Sequence, residues 1–173
     1  REKVSKYLLP QDAREPTKKN LKTFLSNQGL DPQRLIFADH LPLNQHLARL
    51  KFADLFLDTY PYNAHTSCSD ALRMNVPVVT LKWRSFASSV ASSLINTLEV
   101  NELIVNNFNE YERLSLKISN DKNYLEKIKN KIKLSKQSSN LYNPLKYTKN
   151  IEEAYQAAYK KYLSGELPQN IEL

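Results

Sequence analysis

Short apolar runs alternate with longer stretches of helical period along this chain. "RLIFA" (34–38), "DLFLD" (54–58) and "VPVVTL" (76–81) are too short for helices and lie between turn signals, which predicts buried strands. "KVSKYLL" (3–9) and "ELIV" (102–105) are weaker candidates for further strands. Between them, Leu21, Phe24 and Leu25 recur at helical spacing in "TKKNLKTFLSNQG" (17–29), with Pro16 at the start and Gly29 at the stop. "NQHLARLKF" (44–52) predicts a short helix, and Ser85 is placed to cap another over "FASSVASSLINTL" (86–98). From 108 onward the pattern is helical, interrupted by the linker-like "SKQSSNLYNPLK" (135–146). Short strands alternating with helices predict an α/β fold, a Rossmann-like parallel sheet covered on both faces, with a helical C-terminal extension. The expected division is 1–140 for the sheet-bearing part and 141–173 for the closing helix and tail.

Composition narrows the class. A chain of 173 residues can bury a real core, and no apolar run approaches the roughly 18 residues of a membrane span. The charged opening "REKVSKYLLPQDAREP" is no signal peptide, and the single Cys68 cannot form an internal disulfide. These features predict a soluble, cytoplasmic protein. The first residue is Arg1 and the one methionine is Met74, so a piece of a longer protein is expected. Two glycines, Gly29 and Gly165, exclude a G-x-G-x-x-G fingerprint and a P-loop.

The net charge of +7 permits polyanions or small phosphorylated ligands without choosing between them. Much of it lies in "KIKNKIKLSKQ" (127–137). There Tyr124, Leu125, Ile128, Ile132 and Leu134 set an apolar face against Lys127, Lys129, Lys131 and Lys133, which reads as a solvated amphipathic helix rather than a nucleic-acid reader. Tyr155, Tyr159 and Tyr162, three to four apart in the last helix, read as packing residues.

The chemistry concentrates in "LDTYPYNAHTSCSDALRM" (57–74), where an apolar strand ends in Asp58 and a loop runs into a helix. Ligands of open parallel sheets settle beyond the carboxyl ends of strands, where loops enter helices. The first turn of a helix offers unpaired N–H groups and the positive end of the macrodipole. Thr66 and Ser67 hydroxyls and His65 add donors there, which suits a phosphate or diphosphate. Asp70, one turn later, is placed to accept from a ribose diol. The alternative is internal: Ser67-x-x-Asp70 also fits a capping box in which the helix satisfies its own end. Asp54 and Asp58 read as structural.

The stretch "ADLFLDTYPYNAHTSCSDALRMNVPVVTL" (53–81) resembles the donor-site core of the O-linked N-acetylglucosaminyltransferases. That family includes the animal nucleocytoplasmic enzyme, the plant SPINDLY proteins and bacterial homologues with tetratricopeptide repeats. "GLDPQRLIFA" (29–38), "SFASSVASSLINTL" (85–98) and "YTKNIEEAYQAAYKKYLSGELP" (147–168) match it in the same order and spacing. The resemblance implies the C-terminal, donor-binding lobe of a GT-B glycosyltransferase, its upstream lobe and any repeats absent. By carry-over, His65, Thr66 and Ser67 face the diphosphate and Asp70 holds the ribose. His46 packs against uracil, with the Leu41 main chain and Arg49 near the base. Leu43 stands where animal members have a lysine, Trp83 where a glycine is usual, and Ser89 where an arginine is.

The implied reaction is inverting transfer of a sugar, N-acetylglucosamine foremost, from a UDP-sugar to Ser or Thr hydroxyls of an acceptor protein or peptide. The expected partners are UDP or UDP-N-acetylglucosamine and that acceptor; no membrane and no nucleic acid are expected. No cofactor or metal is expected, since the chain has no Asp-x-Asp. Catalytic residues are expected in the missing upstream lobe, so the chain by itself should not turn over. Two other readings stay open: a degenerate lobe that binds nucleotide or a partner without turnover, and a basic polyanion-binding module.

Overall fold

A computed structural model describes residues 7–10 and 15–171. The chain forms two compact units, Arg1–Ala48 and Arg49–Leu173. In the first, β1 (Tyr7–Pro10) pairs in parallel with β2 (Leu35–Ala38), in register from Tyr7 opposite Leu35 to Pro10 opposite Ala38. The strand expected over 3–9 is thus found in its second half and one residue beyond, and residues 3–6 lie outside the described residues. Between the strands runs α1 (Glu15–Asn27), with Glu15 bonded to Lys18 at 2.8 Å in its first turn. Gly29 follows with φ +72 and Leu30 N–H returns to the Leu25 carbonyl at 3.0 Å, the left-handed stop that glycine permits. Lys18 and Lys22 cover the Phe37 ring at 5.8 and 5.9 Å. The boundary between units falls inside α2 (Leu43–Leu50).

The second unit carries β3 (Phe56–Leu57), β4 (Val78–Leu81) and β5 (Ile104–Val105), parallel and in that order, with Phe56 opposite Val78 and Thr80 opposite Ile104. The strands expected over 54–58, 76–81 and 102–105 all form, each shorter than its apolar run. All four residues of β4 are buried, as expected for a central parallel strand with both faces covered. Helices α3 (Thr66–Arg73), α4 (Val90–Thr97), α5 (Phe108–Asn120), α6 (Lys122–Ser138) and α7 (Pro144–Leu163) complete the unit. Leu72, Val78, Val79, Ile95, Ile118 and Ile132 are fully enclosed in one core.

Several expectations need correction. The helix expected from residue 86 starts at Val90, because residues 85–89 close on themselves instead. Ser88 and Ser89 hydroxyls donate to the Ser85 carbonyl at 3.1 and 2.9 Å, and Ser85 Oγ accepts from Ser88 N–H at 3.2 Å. Ser85 therefore caps this turn and not α4. The linker expected over 135–146 is mostly helical: α6 runs to Ser138 and α7 begins at Pro144, each new start capped by its own Asn or Asp. Asp121 accepts from Tyr124 N–H and Asn143 from Lys146 N–H. Leu134, assigned to the apolar face of α6, is 64% exposed. Tyr155, Tyr159 and Tyr162 are exposed too, with Tyr159 and Tyr162 stacked on each other at 6.5 Å rather than packed into the core.

Candidate functional site

Because β3, β4 and β5 are parallel, the loops that leave them gather at one edge of the sheet. Asp58, just past β3, is buried there and anchors the edge. Its Oδ1 accepts from Thr59 N–H at 2.9 Å and Ala64 N–H at 2.6 Å, and its Oδ2 accepts from the Thr80 hydroxyl at 2.6 Å. Tyr111 of α5 donates to the Asp58 carbonyl at 2.8 Å. Burial raises the Asp58 pKa above the usual carboxylate range, against the lowering effect of its hydrogen bonds with Thr80, Ala64 and Thr59. Asp58 thus shapes loop 59–64, as its reading as a structural residue requires.

That loop contains a cis Tyr60–Pro61 bond and ends on α3. Asn63 is fully buried: its N–H donates to the Ala87 carbonyl at 2.9 Å and its Nδ2 to the Thr59 carbonyl at 2.9 Å. The two loops leaving β3 and β4 are thereby tied together. Asn63 Oδ1 and His65 Nε2 are both out of solvent without a hydrogen-bond partner. Buried polar atoms in this condition are rare and costly, on the order of 1–3 kcal/mol each.

His65 is the N-cap of α3 but makes no side-chain cap bond. Its ring stacks on Tyr62 at 4.9 Å and meets Phe86 edge-on at 6.1 Å. The helix starts one residue before Ser67, so the capping-box alternative fails: Ser67 occupies the second helical position, where it cannot cap. The first-turn N–H groups of α3 are left without a side-chain acceptor. Thr66 and Ser67 are exposed, and among the described residues neither hydroxyl is bonded within the protein. Asp70 lies on the same helix one turn later, half-buried.

The structure brings His65, Thr66, Ser67 and Asp70 onto one helix start in the second unit, which also holds Arg49. Leu41 and His46 belong to the first unit, His46 half-buried on α2. Asn63, Tyr62 and Phe86 escape sequence reasoning, because only the folded loops bring residue 86 to residue 65. Trp83 and Phe108 flank Tyr60 edge-on at 6.2 and 5.5 Å on the same rim. Cys68 is buried beneath, its thiol pushed up to about 12 by desolvation and then by Asp58, so it is no nucleophile. Among the described residues, no three His, Cys, Asp or Glu side chains are placed to hold a metal ion. No helix among them is long and apolar enough to cross a membrane.

Residues 8–151 match the sequence pattern of glycosyl transferase family 41. The chain is 30% identical over 153 residues to the probable UDP-N-acetylglucosamine–peptide N-acetylglucosaminyltransferase SEC of Arabidopsis thaliana, covering 88% of this chain and 16% of that protein. It is 31% identical over 146 residues to the UDP-N-acetylglucosamine–peptide N-acetylglucosaminyltransferase of Caenorhabditis elegans, covering 84% of this chain and 13% of the relative. Among solved structures it resembles a mutant O-GlcNAc transferase of Thermobaculum terrenum, with a TM-score of 0.76 and 28% identity over 83% of this chain and 28% of that one. The chain thus spans about a sixth or less of the length of these curated relatives.

Proposed function

The chain belongs to glycosyl transferase family 41, and on that premise we propose that it is the donor-binding part of an inverting glycosyltransferase. The donor is a UDP-sugar, N-acetylglucosamine foremost, and the acceptor is a Ser or Thr hydroxyl of a protein. The observation that carries the reading is the start of α3: uncapped N–H groups, two exposed hydroxyls, and a His65 Nε2 that lacks a partner, all at the carboxyl edge of a parallel sheet. A diphosphate seated there receives the hydrogen bonds that the protein leaves unmade. Asp70, one turn along, accepts from the ribose, and Arg49 is assigned to the base.

Transfer leaves negative charge on the departing diphosphate. The reading assigns its stabilisation to the helix terminus with Thr66, Ser67 and His65, preorganised dipoles that need no rearrangement as charge develops, rather than to a metal ion. The buried, free Cys68 is compatible with the reducing cytoplasm in which this reading places the protein.

Calorimetric titration of the chain with UDP tests the assignment. Thr66→Ala removes one hydrogen bond to a charged group, worth about 1.5–3 kcal/mol, and should weaken UDP by roughly ten- to a hundredfold. Asp70→Ala should weaken UDP while sparing pyrophosphate. Undiminished UDP affinity in both variants would overturn the site.

A further inference from the structure

Two aromatic side chains on the loops that leave β3 and β4 stand where a core role would bury them: Tyr62 is 63% exposed and Phe86 82%. Exposed singly, such rings need no explanation. These two converge on one side chain. The Tyr62 ring lies against the His65 imidazole with centroids 4.9 Å and planes 19° apart. Phe86 meets the same imidazole at 6.1 Å and 85°. Stacked and edge-on contacts are the favourable arrangements of aromatic pairs, and His65 has one of each.

The loops that carry the two rings are fixed by hydrogen bonds rather than by burial. Asn63 N–H donates to the Ala87 carbonyl at 2.9 Å, which ties the neighbour of Tyr62 to the neighbour of Phe86. In the first loop, the Thr59 hydroxyl donates to the Tyr62 carbonyl, and Asn63 Nδ2 to the Thr59 carbonyl at 2.9 Å. In the second, Trp83 N–H donates to the Ser88 carbonyl at 3.1 Å and the Ser89 hydroxyl to the Trp83 carbonyl at 2.9 Å. These bonds close the turn on which Phe86 sits.

His65 itself shows why such a grip is needed. Its Nε2 is out of solvent without a hydrogen-bond partner. An imidazole free to turn about its side-chain torsions would relieve that cost by bringing the atom to water. No cap bond to α3 holds the ring in place. The contacts with Tyr62 and Phe86 do.

We propose that Tyr62 and Phe86 are positioning residues: they fix the His65 imidazole in the orientation that presents Nε2 to the diphosphate, and they act on ligand binding only through it. The inference rests on the reading of α3 as the diphosphate site. A hydrogen bond to a charged oxygen depends on direction as well as distance. A ring held in advance loses less freedom on binding than a mobile one.

Calorimetric titration with UDP and with pyrophosphate tests the proposal through a double-variant cycle. Tyr62→Leu and Phe86→Leu should each weaken UDP roughly two- to tenfold. Pyrophosphate should weaken by the same factor, because His65 is assigned to the diphosphate. Tyr62→Phe keeps the stack and should bind UDP within about twofold of the original chain. Once His65→Ala is in place, adding Tyr62→Leu or Phe86→Leu should change nothing further, since residues that act through a shared partner are not additive. The proposal fails if the leucine variants bind UDP as well as the original chain, or if the effects of His65→Ala and Tyr62→Leu add in full. It fails equally if UDP weakens while pyrophosphate is spared, which would place the rings against the nucleoside. His65→Ala with undiminished UDP affinity would overturn the assignment of His65 to the diphosphate, and this proposal with it.

Discussion

Asp58 accepts from two backbone N–H groups and the Thr80 hydroxyl, and burial still raises its pKa above the ordinary 3.8. The unfolded chain ionises Asp58 at that ordinary value, the folded chain only at higher pH. Between the two, the folded state holds a proton that the unfolded state has lost, so this group's contribution to stability falls as pH rises through the window. Asp58→Asn stays neutral and keeps the same neighbours in reach. Its stability relative to the original chain should therefore increase as pH rises across the window; urea midpoints on either side measure this, and a constant difference would refute the assignment. The same residue marks a limit of sequence reading. Nothing near Asp58 in the sequence shows that it is committed to the fold. Its partner Thr80 is 22 residues away in sequence but within 2.6 Å of it, a pairing that no local pattern encodes.

At the scale of elements, periodicity predicted α6 well because its register repeats over several turns. Leu125, Ile128 and Ile132 are buried while Lys127 stays exposed. Ile132→Ala should accordingly cost about 2–5 kcal/mol, whereas Lys127→Ala should stay within about 0.5 kcal/mol; chemical denaturation of both variants provides the comparison. The end of α4 offers the opposite change. Glu99 follows that helix with φ +55, and Val100 N–H closes onto the Ile95 carbonyl at 3.3 Å. A left-handed conformation costs a side-chain-bearing residue roughly 1–2 kcal/mol, partly offset by the greater chain entropy of glycine. Glu99→Gly should therefore raise stability by about 0.5–1 kcal/mol, a Tm increase of roughly 1–4 °C. The start of α4 was misread for a reason of the same kind. "SFASS" offers serines suited to capping, but their hydroxyls bond back to Ser85 and Trp83 carbonyls and form a separate turn.

For the whole molecule, family membership and the parallel sheet agree, and the chain spans 16% of the Arabidopsis relative it matches. With the acceptor side expected elsewhere, the 173-residue chain should bind UDP yet show no transfer to peptide from a UDP-sugar. Turnover by this chain alone would contradict the division of labour proposed here. The sequence determined most of the segments that become strands and helices, the caps at Asp121 and Asn143, and the order His65, Thr66, Ser67, Asp70 at one helix start. Each of these depends on period or on neighbours within about one helical turn. The tertiary structure decided which polar groups are committed and which remain open. Tyr111 reaches Asp58 across 53 residues and Tyr142 reaches Ser69 across 73, while Asn63, His65 and Asn75 are enclosed with a ring nitrogen or amide oxygen unpaired. Hydrogen-bond partners are settled by where the chain returns in space, and that is the outcome of packing rather than of any short pattern.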